Sequence, residues 1–180
     1  MASLDGLTAG DWNVDPQHSA VGFVARHLMI TKVRGRFDTF TGVLHVADDP
    51  LQSWVEAEVD LNSVSTGDAQ RDNHLRSSDF FDIEHHPKMT FKSTSLKEDG
   101  DDYILIGDLT VLGETRPVEF ELEFEGVSAD PWGGTRAGFT AEADISRKDW
   151  NLTWNMALET GGLVVGDKVK IELEIQAVKA

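Results

Sequence analysis

Apolar and polar residues alternate with period two along most of this chain, the mark of strands that bury one face. The cleanest stretch is 117–125, where Val118, Phe120, Leu122 and Phe124 oppose Glu119, Glu121, Glu123 and Glu125. The same reading predicts seven further strands, over 11–26, 33–46, 53–61, 88–97, 102–112, 134–145 and 167–178. The first is irregular at Pro16 and sets Val21, Phe23, Ala25 and His27 on one face. In the second, Phe37 and Phe40 have opposite parity, which requires a bulge near Asp38 or Thr39. Between these two strands, 28–31 is expected to form a turn of helix.

Over 61–91 the alternation stops for about twenty-five residues, too long for a plain loop in a compact domain. There Asp68 is placed to cap a short helix running to Arg76, and Ser77 or Ser78 a further turn that presents Phe80 and Phe81. Such an insert suits the lid or wall of a barrel, and Phe80 and Phe81 suit either core plugs beneath it or ligand contacts. A second long connection, 146–166, holds Trp150, Trp154 and Met156, as a second rim or as anchors of their own loop.

Eight strands joined mostly by short turns make an antiparallel meander, and closing it into a barrel removes its edges. The fold class is all-β: an extended eight-stranded antiparallel barrel with a short helical insert between strands 3 and 4. The domain is expected over 11–180, after a flexible segment at 1–10. A barrel of this size either fills with side chains or holds one small ligand. Small residues at inward positions (Ala25, Ala57, Gly107, Ala137, Ala141, Ala143, Ala177), set among Phe23, Phe120 and Phe139, favour a hollow one.

Charge narrows the partners. The 180 residues carry 32 acidic and 16 basic side chains, a net charge of −16, which repels phosphate backbones at long range and argues against nucleic acid. An acidic shell places no limit on what an apolar interior holds. No apolar run approaches the roughly 20 residues of a membrane helix. The opening MASLDGLTAGDW has neither a basic nor an apolar signal region, and with no cysteine the chain is expected in the cytoplasm.

Candidate chemistry is sparse. The hydrolase, nucleotide and metalloprotease motifs are absent. The six histidines, His18, His27, His45, His74, His85 and His86, do not cluster; the adjacent His85 and His86 point apart in extended chain, so no metal is expected. His27 shares the inward parity and is either a rim histidine or a polar contact for a ligand head. Arg136, Glu142 and Asp144 share a solvated outer face. Arg26, Lys32, Arg34 and Arg36 are the only basic concentration, either a solvated face or an anchor for an anionic headgroup.

Ordered pieces of the sequence resemble the YceI-like family of lipocalin-like, polyprenoid-binding proteins. They are Asp15-Pro16-Gln17-His18-Ser19 with Val21, Phe23 and His27, then 33–37 and Phe40-Thr41-Gly42. The insert follows with Asp72, His74-Leu75, Ser78-Asp79-Phe80-Phe81-Asp82, Pro87 and Thr90-Phe91. Later pieces are Gly107-Asp108-Leu109-Thr110-Val111, Gly113, Thr115, Pro117-Val118, Arg147 with Trp150, and Val165-Gly166-Asp167 with Val169. The resemblance implies a lipocalin-like barrel whose interior holds a long isoprenoid or similar amphiphile, often a homodimer, with no cofactor and no catalytic residues to transfer. Many members carry a signal peptide, and here this chain departs from them.

The expected function is therefore to sequester or carry an isoprenoid or fatty amphiphile in an apolar cavity, without stable membrane insertion. Its expected contacts are Val21, Phe23, His27, Phe37, Phe80, Phe81, Phe91, Leu109, Phe120, Leu122, Phe139 and Trp154. Two alternatives stand beside it. One is an enzyme acting on a hydrophobic small molecule, with His27 or His74 as acid or base. The other is a structural or stress-related protein with a filled barrel.

Overall fold

The computed structural model describes residues 3–156 and 164–180. Eleven hydrogen-bonded segments make one antiparallel sheet: β1 (Gly10–Val14), β2 (Ala20–His27), β3 (Thr31–Phe37), β4 (Phe40–Val46), β5 (Trp54–Asp60), β6 (Val64–Ser65), β7 (Lys88–Asp99), β8 (Asp102–Val111), β9 (Glu114–Ala129), β10 (Thr135–Ser146) and β11 (Val165–Lys179). β1 and β2 lie end to end along β11, with Val14 opposite Ala177 and Ala20 opposite Glu174. β3 and β4 continue each other in the same way, β3 beside β2 and β4 beside β1. The pairing of β1 with both β4 and β11 closes the meander, so the segments amount to the eight-stranded barrel anticipated from the alternation.

Both interruptions have local causes. Between β1 and β2, Pro16 starts a short 3₁₀ turn, and the Asp15 carboxylate accepts from the Gln17 backbone N–H (3.0 Å) and from Arg136 Nη1 (2.6 Å). Between β3 and β4, the interrupted backbone finds partners in the short 3₁₀ turn that follows β5. Asp38 N–H donates to Ser63 O (3.3 Å), and Thr39 N–H to Ser63 Oγ (3.0 Å). Three further register shifts were not visible in the alternation: one is in β11 between Val165 and Val169, and the remaining two are bulges. One lies in β7 between Ser93 and Ser95, and it is why Phe91 and Leu96, of opposite parity, both face inward. The other re-phases β9 against β10 beside Phe139.

The single α-helix among the described residues, α1 (Ala69–Arg76), is capped by Asp68, whose carboxylate accepts from Arg71 N–H (3.1 Å). The buried Asp72 accepts from the Thr66 N–H and hydroxyl (2.9 and 2.6 Å), and Arg76 donates to Asn62 O and Val64 O (3.0 and 3.1 Å). These bonds tie the insert to β6. β5 ends at Asp60 while β3 runs on, and Leu75, Phe81 and Ile83 pack where the two strands part, against Phe37, Phe40, Val59, Leu61 and Val64.

One local expectation is overturned. Residues 28–31 form no turn of helix: β2 and β3 are joined by a hairpin turn in which Ile30 N–H donates to His27 O (3.3 Å). Leu28 and Met29 both have positive φ, 55° and 61°. Bulky side chains rarely take that conformation, and glycine or asparagine would normally announce it. Nothing in Leu-Met-Ile does so.

Candidate functional site

The inward faces of the strands enclose a cavity of about 320 Å³ along the barrel axis. This lies at the lower end of the roughly 300–1,000 Å³ of small-molecule pockets. Leu4 and Leu7, from the segment expected to be flexible, complete its lining at the base, where Trp12 is fully buried beside Val46, Ala137 and Ala177. At the opposite end, below the insert, the lining is made by Leu75, Phe80, Leu152 and Val165. The wall is apolar except for Thr41, Ser53, Thr90, Tyr103 and Arg147. Burial, and secondarily the Glu98 carboxylate, holds the Tyr103 phenol above its usual pKa, so it stays protonated.

Most of the residues expected at the site meet around this space. Val21, Phe23 and Phe37 line it from β2 and β3; Phe91 and Leu109 from β7 and β8; Phe120, Leu122 and Phe139 from β9 and β10. The insert adds Phe80 and Phe81, and the Phe81 ring meets Phe37 edge-on at 5.9 Å. Trp154 stands one layer back, its ring 5.3 Å from Phe80 and 4.6 Å from His74. His27 is exposed on the hairpin and is not part of the lining.

Of the seven small inward residues, Ala137 and Ala143 are buried away from the cavity, and the other five differ in what covers them. Ala25, Ala57, Ala141 and Ala177 border the cavity. The space over Gly107, by contrast, is filled by the Phe91 ring. A small residue thus leaves a void only where no neighbouring ring covers it.

Arg147 is the feature that alternation could not reveal, although it belongs to the pieces that carry the family resemblance. Its side chain is 4% exposed. It donates from Nε to Gly166 O (2.9 Å), from Nη1 to Trp154 O (2.9 Å) and Leu152 O, and from Nη2 to Val165 O (3.3 Å). Burial lowers the guanidinium pKa below its usual value, and Asp167, at 3.6 Å, opposes that shift. The single charged group of the described lining is therefore engaged in tying residues 152–154, after β10, to the start of β11.

Other charged groups stand outside. Arg34 pairs with Glu172 (3.3 Å) and Arg36 with Asp38 (2.8 Å) on the outer face, and neither Arg26 nor Lys32 lines the cavity. His74 Nε2 lies 2.9 Å from Asp79 Oδ2, behind Phe80 rather than in the lining. Among the described residues, the lining contains no carboxylate and no histidine, and no three His, Asp or Glu side chains gather as metal ligands.

Comparison with known proteins agrees with this geometry. The YceI-like domain family matches residues 12–177.

The chain belongs to the YceI-like family.

Protein YceI of Escherichia coli O17:K52:H18 is 42% identical over 155 residues, 84% of this chain and 81% of that protein. Among solved structures, Burkholderia cenocepacia BcnA superposes with a TM-score of 0.79 at 22% identity, over 91% of this chain and 98% of BcnA. A polyisoprenoid-binding domain from Saccharophagus degradans, implicated in plant cell wall breakdown, superposes at 0.72 and 18% identity, over 94% and 98% of the two chains. The two structures share the barrel fold with this YceI-like chain. Among the described residues, no helix is long and apolar enough to cross a membrane.

Proposed function

We propose that this YceI-like protein sequesters or carries one long apolar chain, an isoprenoid or similar amphiphile, inside the barrel. The observation that carries the reading is the cavity itself, apolar from Leu4 and Leu7 to Leu152 and Val165. The polyisoprenoid-binding domain of S. degradans, which has the same fold, supports the ligand class. The energetics suit it as well. Each buried methylene contributes about 0.8 kcal/mol, so each five-carbon isoprene unit adds about 4 kcal/mol. A few such units offset the roughly 4–15 kcal/mol lost on association.

An enzymatic reading would need an acid–base pair facing the ligand, whereas of the insert's two described histidine–carboxylate pairs His74 with Asp79 sits behind Phe80 and His85 with Asp82 lies outside the lining. A cytoplasmic location and a homodimer belong to the same proposal; cell fractionation and sedimentation velocity test them. The central test is organic extraction of the purified protein followed by mass spectrometry. A long-chain isoprenoid or fatty amphiphile near one equivalent is expected. Protein that yields no amphiphile and takes up none on incubation with polyprenols or fatty amides would overturn the reading.

A further inference from the structure

We propose that the hairpin tip at residues 28–30 is a docking element that seats this end of the barrel on an anionic lipid bilayer. Among the described residues, six large apolar side chains are exposed, and four of them, Leu28, Met29, Ile30 and Met156, gather here. Ile30 is 78% exposed and Met29 56%. Met156 comes from a different connection and is brought alongside by backbone bonds: Val164 N–H donates to Met156 O (3.1 Å), and Leu28 N–H to Val164 O (2.8 Å). The tip also holds two bulky residues at positive φ, a conformation that an ordinary connecting turn would give to glycine or asparagine.

Charge identifies the occupant. Immediately behind the tip, Arg26 and Lys32 stand directly opposite each other across the β2–β3 ladder. Like charges in that position destabilise a hairpin. Arg34 and Arg36 have acidic partners, whereas among the described residues Arg26 and Lys32 have no ion pair, and the nearby Asp167 is taken by Arg147 and Lys148. An apolar wedge backed by two cations without an ion partner among the described residues, in a chain of net charge −16, matches the apolar interior and anionic surface of a bilayer. The rest of the acidic surface is repelled, so the protein would approach with this end first. Ala25 and Val165, which line the cavity, lie just inside the same end. The inference does not depend on what the cavity holds.

The chain has no cysteine, so one introduced at the tip labels uniquely. Ile30→Cys and, as a control near the base, Trp132→Cys each carry an environment-sensitive fluorophore and are titrated with phosphatidylcholine vesicles, with and without phosphatidylglycerol. The expected result is a blue shift at position 30 alone, with phosphatidylglycerol only, abolished at about 0.5 M salt. Each basic residue near such a surface is worth about fivefold in partitioning, so Arg26→Gln with Lys32→Gln should weaken it about twenty-five-fold. Far-UV circular dichroism and the melting temperature check that the variants fold. Equal response at both positions, equal response to both vesicles, or no response at all would overturn the proposal. So would a blue shift that appears without vesicles and grows with protein concentration, because the tip would then pair with a second copy.

Discussion

The Phe23 ring lies over Gly35, its partner across the β2–β3 ladder, in the space that a Cβ at residue 35 would occupy. The Phe91 ring also fills the space over Gly107, although the ladder partner of Gly107 is Ser93, and there a Cβ would fall 2.7 Å from the Lys92 carbonyl oxygen as well. Ring tips can swing and a ladder carbonyl cannot. Gly35→Ala should therefore cost no more than about 1 kcal/mol and push Phe23 into the cavity, while Gly107→Ala should cost about 2–3 kcal/mol. Urea unfolding measures both, and uptake of a fluorescent polyprenol analogue should fall for Gly35→Ala.

Arg147 supplies the second prediction. Replacing it with Met leaves the carbonyls of Leu152, Trp154, Val165 and Gly166 without its donors, at an expected cost of about 3 kcal/mol. Arg147→Lys should recover little of this, since one ammonium cannot reach four carbonyls from a planar fork. Full stability of the Lys variant in chemical denaturation would show that charge alone matters there.

The third concerns acid. Arg136 first, and His18 second, lower the Asp15 carboxyl from 3.8 to about 2. A depressed folded-state pKa stabilises the native protein above the unfolded value and is lost as pH falls through the folded one. Asp15→Asn should thus be less stable than the parent at pH 7, by about 1 kcal/mol after solvent screening, and the gap should close between about pH 4 and pH 2. Urea midpoints of the two proteins across that range provide the measurement.

The last prediction tests the cavity. Ala57 borders it from the middle of β5, opposite Phe91 on the neighbouring strand. Ala57→Phe should fill part of the void at a cost of no more than about 1–3 kcal/mol, yet cut extractable amphiphile by at least tenfold. Arg34→Gln with Arg36→Gln, on the outer face, should leave loading unchanged for pyrophosphate-headed and neutral chains alike. Selective loss of the pyrophosphate-headed ligand would return the basic row to the site.

Much of the architecture was legible in the linear pattern because a strand's period is short and local. Val118, Phe120, Leu122 and Phe124 could face inward only together, and the opposite parities of Phe37 and Phe40 required the break seen at Asp38 and Thr39. Asp68 announced the helix because a cap is a bond between near neighbours. What the chain could not disclose depends on residues far apart in sequence. Whether an inward glycine leaves a void or receives a ring is decided by the strand alongside, as at Gly107 and Phe91. The burial of Arg147 rests on carbonyls delivered by a connection that returns up to nineteen residues later. The left-handed backbone at Leu28 and Met29 is set by the closing geometry of the hairpin, against the preference of its own residues. Local pattern thus determined which side chains point inward along each unbroken run of strand, and only the assembled barrel decided where else the phase shifts and how much room the inward side chains leave.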